Sequence, residues 1–210
     1  MITNSDPNVI VVDERELKKW VTTAFESNGL QGHHAKVVAQ TLVEANMRGV
    51  DTHGVALVET YVNRLKAGSM NARPTLNIEN LSAVTSKIDG ENTLGQLTSF
   101  TAMEHAIKQA KEYGLAMATV NNSNHFGAAA YYSIMAAEEN CIGITMSNAS
   151  PRLAPWGGLT PTYGNNPWSV AIPHNEFPVV LDIANSVVAF SKILTARKTG
   201  ESIPSDWALT

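Results

Sequence analysis

Leu115-Ala-Met-Ala-Thr-Val120, followed by Asn121-Asn-Ser-Asn-His125-Phe-Gly-Ala-Ala-Ala-Tyr131-Tyr132 and running on to Glu139, is the stretch whose reading decides the fold. The mostly apolar residues 115–120 predict a short buried strand. The Ala-rich run from Gly127 to Glu139, with Tyr131, Ile134 and Met135, predicts the helix that leaves it. A strand passing into a helix through a polar turn points to an α/β chain. That turn places one histidine among amides, with His125 on the first turn of the helix or just before it. A helix N-terminus carries partial positive charge, which disfavours imidazolium and keeps the ring a neutral proton acceptor near pH 7. Position alone leaves two readings open, a catalytic base and a histidine capping its own helix.

Working outward, a second histidine stands in a similar setting, Arg48-Gly-Val-Asp51-Thr52-His53-Gly54-Val55. Asp51 or Thr52 suits an N-cap, and Val55, Val58, Val62 and Leu65 form one apolar face that stops at Gly68, so a helix is predicted from about 51 to 68. His53 then serves either catalysis or local hydrogen bonding. Upstream, Asp13 and Glu16 make a capping box before the face Leu17, Trp20, Val21, Ala24 and Phe25, closed by Gly29. His33 and His34 begin a helix with the stripe Ala35, Val38, Leu42 and Ala45. His105 falls inside an amphipathic helix and His174 in a turn.

After Gly68 the period changes. Strands are predicted at 75–79 and 83–88 around Asn80, then at 142–147, 168–172 and 179–183, with a helix at 97–112. The expected organisation is a helical region over 1–74 followed by an α/β region over 75–210.

Between Asn148 and Pro167 lies a loop with four prolines and with Gly157, Gly158 and Gly164. Loops this long without structure of their own are more often functional than idle. Gly157-Gly158 lets backbone approach a ligand, and Asn148, Asn165 and Asn166 offer amides. An ordinary surface connection built of turn residues is the other reading. Asp182 closes the apolar strand Pro178-Val-Val-Leu-Asp182, where a carboxylate is costly unless paired. It serves a ligand or caps the helix that follows.

With 210 residues, 44% hydrophobic and 16% charged, the chain is long enough for one large or two small cores. A net charge of −4 without a Lys/Arg cluster argues against nucleic acid. No apolar run reaches the length of a membrane span, and Met1 to Pro7 lacks the basic start and apolar stretch of a signal peptide, so a cytoplasmic location is the default. The single cysteine, Cys141, excludes an internal disulfide and a multi-cysteine metal site; no metal is expected. There is no Gly-x-Gly-x-x-Gly, Gly-x-Ser-x-Gly, His-Glu-x-x-His or phosphate-loop lysine, which sets aside a standard dinucleotide fold and the common hydrolase, zincin and nucleotidase classes.

Five ordered motifs carry a resemblance: Arg48-Gly-Val-Asp-Thr-His-Gly-Val55, Ser123-Asn-His-Phe-Gly127, Leu153-Ala-Pro-Trp-Gly-Gly158, Gly164-Asn-Asn-Pro167 and Leu181-Asp-Ile-Ala-Asn-Ser186. In order and spacing they resemble the malate/L-lactate dehydrogenase family, the non-Rossmann NAD(P)-dependent 2-hydroxyacid oxidoreductases that include ureidoglycolate and sulfolactate dehydrogenases. The resemblance covers nearly the whole chain. Family members continue past the stretch around Trp207, so the chain is expected to be an N-terminal portion, with a mixed-sheet non-Rossmann cofactor domain incomplete at its C-terminus.

The resemblance implies hydride transfer between a 2-hydroxy or 2-oxo acid and NAD or NADP, with His125 exchanging the hydroxyl proton. It places Thr52, His53 and Tyr61 beside the substrate. Arg48 either meets the substrate carboxylate or pairs with Glu44 four residues back. The loop with Asn148, Gly158 and Asn166 walls the nicotinamide site, and Asp182, Ile183, Ala184 and Ser186 lie against the cofactor, with Asp182 counted beside His125 and His53 among the catalytic candidates. Lys192 either contacts cofactor or is simply solvated. Two departures stand out. Asn165 replaces the threonine of the usual Gly-Thr-Asn-Pro. Leu57 stands where many relatives carry an arginine that clamps a carboxylate, so a bulkier 2-oxo acid, or a cyclic imino acid and hence a reductase, fits as well as malate. A homodimer is expected of the full-length polypeptide. The remaining alternative is a truncated, non-catalytic fragment acting only as a binding remnant.

Overall fold

The computed structural model describes residues 11–208, and Met1 to Pro7 lie outside them. The described residues form a mixed α/β structure with two three-stranded sheets. The chain folds as two compact units: one comprises the residues up to Asn77 with Asp89–Thr98 and Val120–Gly127, the other Ile78–Ile88, Ser99–Thr119 and the residues from Ala128 onward.

The first unit is built on α1 (Glu14–Glu26), α2 (Gly32–Met47) and α3 (Val58–Lys66). The capping box predicted at Asp13 is half present: its carboxylate accepts from the amides of Arg15 and Glu16 at 2.9 and 3.1 Å, which starts α1 where expected. Gly29, at φ +92°, turns the chain toward α2 in a conformation that a β-carbon disfavours. Val21 and Phe25 of α1, Ala35, Val38 and Leu42 of α2, and Val58, Tyr61 and Leu65 of α3 close on one core with Leu94 and Leu97. Each large apolar side chain in it contributes roughly 1.5–3 kcal/mol by leaving water.

The single helix predicted from 51 to 68 is not what forms. Asp51–His53 and Val55–Leu57 are separate 3₁₀ turns broken at Gly54, and α3 begins only at Val58. The cause is Asn46, on the last turn of α2. Its amide donates to Asp51 Oδ1 at 2.5 Å and accepts from the Val55 amide at 2.8 Å. Asp51 therefore does not cap its own segment, and a β-carbon on Gly54 would collide with the Asn46 side chain.

In the second unit β1 (Ile78–Asn80) and β2 (Thr85–Asp89) form an antiparallel hairpin. β3 (Met117–Asn121) lies beside β2. The Met117 amide bonds Val84 O near one end and the Gly90 amide bonds Asn121 O near the other, so β2 and β3 run in the same direction. The crossover is α4 (Gly95–Tyr113), as a parallel pair requires. The second sheet has the order β4 (Gly143–Met146), β5 (Trp168–Ile172), β6 (Val179–Ile183), antiparallel throughout, with Gly143 opposite Ala171 and Ile172 opposite Val179.

Over this sheet packs α5 (Ala129–Glu138), whose buried face is Ala129, Ala130, Tyr132, Ser133, Ala136 and Ala137. The small side chains let the helix lie so close that a β-carbon on Gly143 would stand 2.1 Å from Ser133 O. The fully buried hydroxyls of Ser133 and Ser169 hydrogen-bond each other at 2.7 Å. Last comes α6 (Phe190–Thr199), closed by Gly200 in the left-handed conformation. The 148–167 segment holds one isolated bridge, Leu153 to Tyr163, and otherwise no helix or strand. Among the described residues no helix is long and apolar enough to cross a membrane.

Candidate active site

His125 lies in the first unit, on the 122–127 loop that follows β3. It precedes the first residue of α5, Ala129, by a full turn, so the helix start predicted at Gly127 comes two residues later. Gly127 itself, at φ +80°, cannot belong to a right-handed helix.

The loop is held from three directions. Asn124 donates to Asn92 O, Asn92 Oδ1 and Thr93 O at 2.9–3.0 Å and accepts from Arg64 Nη2 at 2.8 Å. Ser123 shares a hydrogen with Thr98 at 2.8 Å. At Gly95 the backbone is so close that a β-carbon would sit 2.2 Å from Asn124 O and 2.7 Å from the His125 carbonyl. Such over-determination fixes the ring that the loop carries.

Around His125 the structure assembles two of the residues singled out from sequence. Tyr61 Oη, on a side chain 2% exposed, lies 2.6 Å from His125 Nδ1. The His53 ring stacks on His125 at 5.5 Å between centroids with 23° between planes. Thr52 Oγ1 is 3.0 Å from His53 Nδ1, so Thr52 reaches the cluster through His53. Arg48 stands exposed as the C-cap of α2. Its proposed partner Glu44 is instead bridged to Lys18 at 3.4 Å.

Burial raises the Tyr61 pKa to about 12, with the Gln96 amide and the Arg64 charge opposing. The phenol is therefore protonated at neutral pH and able to donate to Nδ1. Desolvation first, then the neighbouring His53 and Arg64, lower the His125 pKa to about 4. The ring keeps an exposed face, and solvent there moderates the depression. At neutral pH the ring is therefore imidazole, not imidazolium. The causes of the lowered pKa are burial and the neighbouring His53 and Arg64.

Arg64 escaped the sequence reading. Its signal was spacing, one turn after Tyr61 on α3, and its effect is double: it anchors Asn124 and it opposes protonation of His125.

The residues expected to face a cofactor all lie in the second unit. Asp182 does not cap the helix after it; its carboxylate accepts from the Ala130 amide in the first turn of α5 at 3.0 Å. Asn166 is held at φ +35°, and its side chain accepts from the Ala149 amide at 2.9 Å beside Asn148. The Asn185 side chain bonds Asn165 O and Asn166 O at 3.3 and 2.9 Å, tying the 182–186 segment to the 164–167 turn. Gly164 admits no β-carbon there, since Ala149 O would be 2.2 Å away. Next to this seam Ser186 Oγ is buried without a hydrogen-bond partner, as is Thr145 Oγ1 on β4. Gly158 lies in a turn bonded to Pro155 O, and Lys192 is exposed on α6.

The family model for malate/L-lactate dehydrogenase matches residues 12–210. The chain belongs to the malate/L-lactate dehydrogenase family. Among curated members it is 39% identical over 204 residues to the malate dehydrogenase of Pyrococcus horikoshii, covering 97% of this chain and 57% of that enzyme. It is 36% identical over 182 residues to the NAD(+) ureidoglycolate dehydrogenase of Escherichia coli K12, covering 86% and 52%. The crystal structure of malate dehydrogenase from Entamoeba histolytica superposes with a TM-score of 0.88 at 34% identity, over 92% of this chain and 54% of that one. The chain thus spans little more than half the length of these family members. The mixed α/β architecture expected from sequence is the architecture of the family.

Proposed function

We propose that this chain contributes the acid–base half of a 2-hydroxyacid dehydrogenase. The reaction is reversible hydride transfer between C2 of a 2-hydroxy or 2-oxo acid and C4 of NAD or NADP. The observation that carries the reading is the pair Tyr61–His125, a buried phenol 2.6 Å from a neutral imidazole that stacks on a second histidine.

His125 Nε2 takes the hydroxyl proton during oxidation and returns it to the carbonyl oxygen during reduction. Tyr61 holds the ring through Nδ1, which leaves Nε2 for substrate. His53, oriented by Thr52, hydrogen-bonds the substrate carboxylate or oxygen, and Arg48 pairs with the carboxylate when the site is filled. The nicotinamide, when bound, supplies or accepts the hydride.

The second unit suits such a ligand. The orphaned Ser186 hydroxyl needs a polar partner, and the amides of Asn148 and Asn166 with the Gly158 backbone match ribose hydroxyls and a carboxamide. Asp182, Ile183 and Ala184 complete that wall, and Lys192 meets a phosphate. These assignments, a homodimeric enzyme and a cytoplasmic location belong to the proposal.

Titration with NADH and NADPH, followed by nicotinamide fluorescence and then by addition of 2-oxo acids, tests it. Saturable binding with cofactor oxidation is expected. His125→Ala should cost about 10²–10⁴-fold in turnover with cofactor affinity nearly intact; near-normal turnover removes His125 from the mechanism.

A further inference from the structure

Gln96, the second residue of α4, is fully buried, and neither its amide oxygen nor its amide nitrogen has a hydrogen-bond partner. Leaving such a group unpaired costs about 1–3 kcal/mol for each end, so an amide kept there has a use. Its place narrows the use. Gly95 presses the start of α4 against the Asn124–His125 backbone, and Gln96 Nε2 lies 3.7 Å from where a β-carbon on Gly127 would be. The amide stands beside the Tyr61 phenol, near enough to lower its pKa but outside hydrogen-bond geometry.

The hydrogen bond between Tyr61 and His125 contains one proton and can be written two ways. When the phenol donates to Nδ1, the neutral ring carries its hydrogen on Nε2 and cannot accept there. For Nε2 to take a proton from an alcohol, the hydrogen must sit on Nδ1 and be donated to Tyr61 Oη, and the phenol must give its own hydrogen to another acceptor.

We propose that Gln96 is the positioning residue that lets this hydrogen bond reverse. Its Nε2 donates to Tyr61 Oη when Tyr61 donates to His125, and its Oε1 accepts from Tyr61 when His125 donates to Tyr61. A half-turn of the amide exchanges the two arrangements. In the second, the proton leaving the substrate hydroxyl joins Nε2 and the resulting imidazolium keeps its Nδ1–H on Tyr61, so no proton is created or lost. The inference rests on the dehydrogenase reading only for the use made of the two states; the states themselves exist without cofactor.

The test is nitrogen NMR of histidine-labelled protein near neutral pH with no cofactor or substrate, reading which His125 nitrogen bears the hydrogen. Wild type is expected to populate both tautomers. Gln96→Met, of similar length, removes one hydrogen bond from each arrangement but leaves a buried O–H donor orphaned only in the Nδ1–H form, so it should shift the ring toward the Nε2–H form by about threefold to tenfold. Gln96→Glu, which keeps an acceptor, should retain the Nδ1–H form. In a Tyr61→Phe background the Gln96→Met change should do nothing. Tautomer populations equal in wild type and a folded Gln96→Met overturn the proposal. So does a failure of both variants to fold, which makes the residue structural. In turnover, Gln96→Met should lower kcat for alcohol oxidation with little change in KM. Absence of any NADH-linked turnover would refute the dehydrogenase reading and leave the tautomer comparison standing.

Discussion

Replacing Tyr61 by phenylalanine removes one oxygen from the centre of the candidate site and little else. The side chain is 2% exposed within the buried apolar cluster of the three-helix unit, so Phe fills the same volume and the apolar packing there persists. What is lost is a 2.6 Å hydrogen bond to His125 Nδ1. With no substrate present both partners are neutral, and the bond is worth about 1 kcal/mol. The exposed face of His125 lets water recover part of this, so the melting temperature should fall by no more than about 2–4 °C for a chain of this size. In the proposed oxidation step the ring becomes imidazolium, and a hydrogen bond to a charged group is worth about 1.5–3 kcal/mol. At about 1.4 kcal/mol per decade, kcat should fall roughly 10- to 100-fold, more than the stability change alone predicts. Thermal melts and steady-state oxidation of a 2-hydroxy acid measure both quantities. A kcat within twofold of wild type, or a loss confined to KM, would show that the phenol does not support the imidazole during proton transfer.

Three further outcomes follow from the same structure. Leu57→Arg should raise kcat/KM for dicarboxylates relative to monocarboxylates; an unchanged ratio would mean that this position does not face substrate. Gly143→Ala puts a β-carbon 2.1 Å from Ser133 O, a backbone atom that cannot yield without lifting α5. A loss of about 2–3 kcal/mol is expected, seen as a melting temperature lower by roughly 5–10 °C, and an unchanged melt would contradict the packing described. The pH dependence has a definite sign. His125 is lowered from 6.5 to about 4 on folding, so between those values the unfolded chain binds a proton that the folded chain refuses. Its stabilising contribution is full above pH 6.5 and is lost as the pH falls toward 4. The full shift corresponds to about 3 kcal/mol, which solvent at the exposed face reduces to about 1. Comparing His125→Gln with wild type by urea denaturation from pH 7 to pH 4 isolates it from His34, whose pKa is also lowered by burial. Parallel stability curves for the two proteins would refute the shift.

Elements whose cause is local could be read before the fold was known. The capped start of α1 and the strands at 168–172 and 179–183 depend on residues within a few positions of one another. Segments decided at a distance were misread, each through one polar side chain. Asn46 reaches forward nine residues to Val55 and breaks the expected helix at Gly54. Asp182 reaches back 52 residues to cap α5, not the helix beside it. Hydrophobic period carries no trace of such partners, because an amide or carboxylate looks the same in sequence whether it faces solvent, its own turn or a remote one.

The candidate site divides along the same line. His53 and His125 drew attention as residue types in turns, yet what makes them a unit lies in separation: Tyr61 is 64 residues from His125, and Arg64 is 60 from the Asn124 it fixes. Once α3 is placed against the 122–127 loop, the state of the imidazole follows from its surroundings. Two neighbours that oppose protonation, a desolvated setting and a phenol too buried to ionise all push toward a neutral ring held by Nδ1. The hydrogen bond to Tyr61 engages Nδ1, so the acid–base role proposed for His125 falls to Nε2 and requires the hydrogen to sit on Nδ1.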